Sequence, residues 1–164
     1  MNERMGKRPG DFVAIPLPSG GHAYGRVLNK LMAFYDLRTD ELIDVDQIAK
    51  SPMLFITAVH MRSIDHDRWV IVGHRPLELN LLEDTKFFRE NPSGRGFLIY
   101  VSKPKPKNAY AEYEASAEEC QGLEPLLVWE PDQIEQRIED YFLDKKNAHL
   151  SHYLKKISTP KTII

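Results

Sequence analysis

Gly10-Asp11-Phe12-Val13-Ala14-Ile15-Pro16-Leu17-Pro18-Ser19-Gly20-Gly21-His22-Ala23-Tyr24-Gly25-Arg26-Val27-Leu28 is the stretch on which the fold turns. Val13, Ile15 and Leu17 alternate with Phe12 and Ala14, Pro18-Ser19-Gly20-Gly21 reverses the chain, and Tyr24, Arg26 and Leu28 alternate with Ala23, Gly25 and Val27 on the way back. Period-two alternation on both sides of a turn predicts a β-hairpin over residues 10–30. Gly25 within the returning strand predicts a bulge or a close backbone approach, the device by which sheets curl toward a barrel.

Outward from the hairpin, residues 31–35 extend its second strand or open a third, and 36–46, acidic and aperiodic, read as a loop or short helix. Residues 52–60 read as a buried strand, with Trp69-Val70-Ile71-Val72-Gly73 as its antiparallel neighbour across a polar connection. Phe87-Phe88 and residues 97–101 flank the turn Asn91-Pro92-Ser93-Gly94, and 97–101 is predicted to be a central strand. Lys103-Pro104-Lys105-Pro106-Lys107 reads as an extended exposed crossing, because each proline lacks a donor and restricts the residue before it. Ser116 and Glu119 have capping-box spacing and Gly122 suits a C-cap, which predicts a short helical turn before a short strand at 126–129. Pro131 opens the clearest helix, with Ile134, Ile138, Tyr141 and Phe142 on one face, Asp132 and Glu135 in its first turns and Lys145 and Lys146 beyond its end. A second amphipathic piece spans 149–157.

Together these elements predict an α+β fold. It has a mainly antiparallel, strongly curved β-sheet or partial barrel with a C-terminal amphipathic helix packed on it. One domain is expected over 1–164: a β-rich part over about 10–101, the Lys/Pro crossing at 103–107, a short-strand and helical part over about 108–157, and a flexible tail at 158–164.

The 164 residues are 42% apolar and 28% charged, the profile of a folded globule. The longest apolar runs, 53–59 and 97–101, fall well short of the roughly 20 residues that cross a bilayer. The first eight residues are polar and basic, with no apolar signal core. A soluble, cytoplasmic protein is the expectation. A lone cysteine, Cys120, cannot form an internal disulfide and lies among acids that do nothing to activate a thiol.

The formal charge of -2 hides an asymmetry: residues 108–144 hold eleven carboxylates against the single Arg137, a local balance of -10. The last twenty residues hold five lysines and no acid, leaving +3 for the first 107. Eight of the acids, Glu112, Glu114, Glu118, Glu119, Asp132, Glu135, Glu139 and Asp140, are candidates for an acidic face that docks a basic partner. A solvated, solubilising surface is the plainer alternative.

No catalytic constellation emerges. His60, His66 and His74, with Asp65 and Asp67, crowd one region but lack H-x-x-x-H spacing or paired cysteines, so no metal and no cofactor are expected. Ser19-Gly20-Gly21 and Ser93-Gly94-Arg95-Gly96 read as turns, since neither stands at a strand-to-helix switch where glycine-rich loops cradle phosphate. Serine, histidine and aspartate are present without a nucleophile elbow. Phe12, Tyr24, Phe34, Tyr35 and Trp69, with Arg26 and Lys30, would make the stacking face of a small β-barrel nucleic-acid-binding module. Their apolar neighbours favour core packing instead, with Trp69 and Trp129 as anchors.

The opening hairpin, Gly10-Asp11-Phe12-Val13-Ala14-Ile15-Pro16-Leu17 and Gly21-His22-Ala23-Tyr24-Gly25-Arg26-Val27-Leu28, resembles that of the immunity protein 26 family of bacterial polymorphic toxin systems. Trp69-Val70-Ile71-Val72-Gly73, Cys120-Gln121-Gly122-Leu123-Glu124, Val128-Trp129 and the Pro131 helix follow in the order that family would have, over most of residues 7–145. The resemblance implies a non-catalytic protein that binds and neutralises a cognate toxin domain, and it carries over no contact residues. Were the toxin a nuclease, its phosphate-binding surface would be basic and an acidic patch could cover it. On that expectation, reversing Glu135, Glu139 and Asp140 together to lysine abolishes protection and leaves the fold intact.

Overall fold

In a computed structural model, residues 7–60, 62–65, 68–103 and 109–158 are described. The central part of the Lys/Pro crossing (104–107), His66, Asp67 and the tail from 159 lie outside the described residues. The chain divides into two compact units that alternate along the sequence. One takes the chain up to Leu81 and Leu127–Lys146; the other takes Leu82–Leu126 and the chain from Asn147 onward.

The first unit is built on a six-stranded sheet: β1 (Asp11–Pro16), β2 (His22–Val27), β3 (Met32–Thr39), β4 (Met53–Val59), β5 (Val70–His74) and β10 (Val128–Trp129), in the order β10-β4-β3-β2-β1-β5. All pairs are antiparallel except β10 with β4. The hairpin forms as its alternation predicts, with Phe12 opposite Arg26 and Ile15 opposite Ala23. Gly25 marks a register shift between β2 and β3, and a Cβ there would lie 3.2 Å from the Phe34 ring. The glycine makes room for an aromatic that stands against Phe55 and Trp69.

Two expectations are corrected by long-range pairing. Residues 36–39 are strand, not loop, because β2 offers them partners: His22 lies opposite Thr39 and Ala23 opposite Arg38. The expected hairpin of β4 with β5 does not form. β5 joins β1 at the opposite end of the sheet, and Val128 and Trp129 take the edge of β4. Gly73 lets the helix α1 (Val45–Ala49) pack closely on β5, since a Cβ there would come within 2.5 Å of Val45 Cγ1. The fold is α+β with mainly antiparallel sheets and a helix toward the C-terminus, as expected, and the six-stranded sheet is open, ending on β10 and β5.

Both faces of this sheet are covered. On one, Phe12, Ala14, Tyr24 and Tyr35 pack with Ile48 of α1. On the other, the helix α3 (Pro131–Phe142) lays Arg137 over the Phe55 ring at 3.5 Å and brings Glu135 to the indole of Trp69 at 2.8 Å. Burial on both faces explains why β1 alternates between two apolar sets instead of apolar and polar.

Within the first core lies a fully buried charge. The Arg26 guanidinium donates from Nε to Gly10 O (2.9 Å), from Nη1 to Tyr35 Oη (3.0 Å) and Glu78 Oε1 (2.9 Å), and from Nη2 to the carbonyls of Arg75 (2.8 Å) and Pro76 (3.1 Å). It also lies 3.9 Å from the centre of the Phe12 ring. Desolvation pushes the Tyr35 phenol above its ordinary range, partly opposed by the hydrogen bond from Arg26, so the phenol stays protonated at neutral pH.

The second unit has a four-stranded sheet, β8-β7-β6-β9, made of β6 (Thr85–Glu90), β7 (Phe97–Lys103), β8 (Ala109–Ala115) and β9 (Glu124–Pro125). β7 is central, as expected, and pairs with β6 from Phe97 opposite Glu90 to Ser102 opposite Thr85. β8 was not expected: its alanines and glutamates are weak strand formers beside Tyr110 and Tyr113, and it pairs with β7 along its whole length. Ser116 and Glu119 make the reciprocal capping bonds, at 2.8 and 3.2 Å, and Gly122 has φ +83°, but the segment between them is a turn, not a helix. Phe88, Ile99, Val101 and Cys120 form this unit's core with Ile157, which follows the helix α4 (Ala148–Leu154).

Replacing Arg26 by methionine takes the guanidinium from the Tyr35 hydroxyl, the Arg75 and Pro76 carbonyls and the Glu78 carboxylate, while Gly10 O keeps the Arg75 N–H; a loss of about 3–5 kcal/mol is expected, read by urea unfolding with fluorescence of the buried Trp69 and Trp129. Arg26→Lys should recover little, because one ammonium cannot reproduce the planar fork.

Candidate docking surface

The acids singled out in the sequence separate into two sets. Glu135, Glu139 and Asp140 are buried, with 8, 6 and 8% of their surface exposed. Glu135 accepts both arms of Arg68, at 2.8 and 2.6 Å, along with the Trp69 indole N–H. This carboxylate holds the Arg68 guanidinium above its ordinary pKa. Glu139 Oε1 accepts the backbone N–H of Ser19 at 3.4 Å, and Asp140 Oδ1 accepts from Gln136 Nε2 at 2.8 Å.

These three residues therefore leave the candidate exposed face, and their joint reversal to lysine would disrupt the packing of α3. For Glu135 alone, helical spacing held part of the signal. Glu135 sits between the buried Ile134 and Ile138, on the side that faces the core. Conversely Tyr141, expected on the apolar face, is 47% exposed and donates its hydroxyl to Asp36 Oδ2 at 2.9 Å.

Glu112, Glu114, Glu118, Glu119 and Asp132 remain exposed. Four of these belong to the second unit, where β8 and the turn after it carry them; Asp132 stands in the first turn of α3. Across β7, the Arg89 guanidinium binds Glu112 from Nε at 3.1 Å and from Nη2 at 3.4 Å, which orients that carboxylate on the sheet. Glu119 accepts the N–H of Ser116. Glu114 and Glu118 have no ion-pair partner among the described residues. The surface is thus a strand and turn of the second unit with two oriented and two unpaired carboxylates.

The remaining candidates are engaged inside the fold. His60 lies 3.4 Å from Glu130, which also binds Arg62, while His74 binds the buried Asp11 at 2.9 Å. The two histidines thus serve different carboxylates. Phe12, Tyr24, Phe34, Tyr35 and Trp69 are all at most 1% exposed and Arg26 is fully enclosed, so the stacking face of the nucleic-acid alternative is not presented to solvent. Burial, with the charge of Glu119 beside it, pushes the Cys120 thiol above its ordinary pKa, opposite to what a nucleophile needs. No described helix is long and apolar enough to cross a membrane.

A model of the family described as immunity protein 26 matches residues 8–97, more than half of the chain. The chain belongs to the immunity protein 26 family. Neither a curated protein nor a solved structure matches it. In this immunity protein the matched stretch runs from the approach to β1 to the first residue of β7, and so includes five of the six strands of the first sheet together with Arg26 and its partners.

Glu135→Lys should destabilise the protein by about 3 kcal/mol or more by placing a cation against Arg68, whereas Glu114→Lys should change stability by no more than about 0.5 kcal/mol; thermal melting of the two variants checks both. Cys120 should resist aromatic-disulfide reagents in the native protein and react at the rate of a free thiol in denaturant.

Proposed function

We propose that this chain binds the cognate toxin domain of a bacterial polymorphic toxin system and neutralises it by occlusion, in the cytoplasm and without catalysis of its own. Membership of the immunity protein 26 family is the observation that carries this reading. The candidate groups for covalent or acid–base chemistry support it in a second way. The thiol is buried with a raised pKa, His60 and His74 are each held by a carboxylate, and Glu135 is bound by Arg68 and Trp69.

The candidate contacts are the exposed acids, Glu112, Glu114, Glu118, Glu119 and Asp132. Charge of one sign on a partner-facing surface accelerates encounter with a partner of the opposite sign and disfavours wrong ones. A basic toxin surface, such as the phosphate-binding face of a nuclease, suits these acids.

Co-expression with the toxin domain encoded beside this chain's gene tests the proposal. Host survival together with a complex recovered on pull-down is expected. Host death despite abundant folded immunity protein would overturn the reading.

A further inference from the structure

β8 is an outer strand. β7 pairs with one of its edges, from Phe97 opposite Ala115 to Lys103 opposite Ala109, and among the described residues no strand pairs with the other. Alternate backbone N–H and C=O groups of such a strand point away from its neighbour and are free to accept another strand.

The side chains restrict which strand can be added. Ala111 and Ala115 pack on the core of the second unit, so alternation sends Glu112 and Glu114 to the opposite face. In an antiparallel pair, directly opposed residues share a face, so if two copies of β8 met edge to edge, even-numbered residues would oppose even-numbered ones. Every register centred on Glu112, Tyr113 or Glu114 then sets a glutamate against a glutamate. Like charges directly opposite destabilise a sheet. A second copy of this chain is therefore disfavoured at this edge, and a strand with lysine or arginine at alternate positions is favoured. Arg89 holds Glu112 on the sheet surface, and Glu114 has no cationic partner among the described residues, so an incoming cation finds one oriented and one uncompensated carboxylate.

Resting on the immunity function proposed above, we propose that β8 docks the toxin by strand addition, taking an extended basic segment of the toxin domain along its open edge. Backbone hydrogen bonds supply affinity in this mode, and the alternating side chains supply selectivity. The charge on the edge then has two effects at once, excluding self-association and selecting the partner.

The purified toxin domain encoded beside this chain, in a catalytically inactivated form, serves as the probe. Amide hydrogen exchange on the wild-type complex should show new protection at residues 111–115. The double variant Glu112→Lys/Glu114→Lys should bind the toxin roughly tenfold or more weakly with its melting temperature unchanged, and Glu112→Gln/Glu114→Gln should fall between. Unchanged exchange at β8 in a wild-type complex, or wild-type affinity in the lysine variant, would show that the toxin docks elsewhere and that the acids only blunt the edge, leaving the immunity function standing. Absence of any complex with the wild-type chain would overturn both.

Discussion

The guanidinium of Arg26 is enclosed by five hydrogen bonds and the face of Phe12, and the first unit is organised around keeping it so. A buried cation is costly unless every donor is met. Here the acceptors come from segments distant in sequence: the carbonyl before β1, a tyrosine of β3, and the carbonyls and carboxylate of residues 75–78. One side chain of β2 thereby fixes where the chain enters β1 and where it goes after leaving β5. Gly10 fits this constraint, since its φ of +103° and its approach to Arg75 O, where a Cβ would lie at 2.4 Å, leave no room for a side chain.

The other face of the same sheet uses charge in a related way. α3 places Arg137 over Phe55 and Glu135 against Arg68 and Trp69, so acids that dominate the local charge balance act as internal acceptors. Summed charge along a sequence is not charge on a surface. Of eight acids that looked equivalent in the sequence, three are consumed in holding a helix and five face solvent.

This division bears on function. On the function proposed above, the first unit, which holds most of the residues that the family model matches, is the scaffold, and the exposed acidic strand of the second unit is the surface that meets the partner. Among the described residues, the thiol is buried, and His60, His74 and Glu135 are each engaged by another side chain.

The sequence by itself determined the elements whose signals are local. The hairpin about Gly20-Gly21, the bulge at Gly25, the β6–β7 turn, the helix begun by Pro131 and the core positions of Trp69 and Trp129 all follow from period, turn chemistry or size. That hairpin, with Trp69–Gly73, Cys120–Glu124, Val128-Trp129 and the Pro131 helix in order, also sufficed to suggest the family. Tertiary structure alone decided which strands pair, because β5 reads the same beside β1 as beside β4 and nothing local in its sequence chooses between them. It decided that residues 109–115 are a strand, since their alanines and glutamates disfavour one, Tyr110 and Tyr113 favour one, and the pairing with β7 settles the balance. It also decided which acids face water, since a carboxylate's exposure depends on what packs across from it and not on its neighbours in sequence.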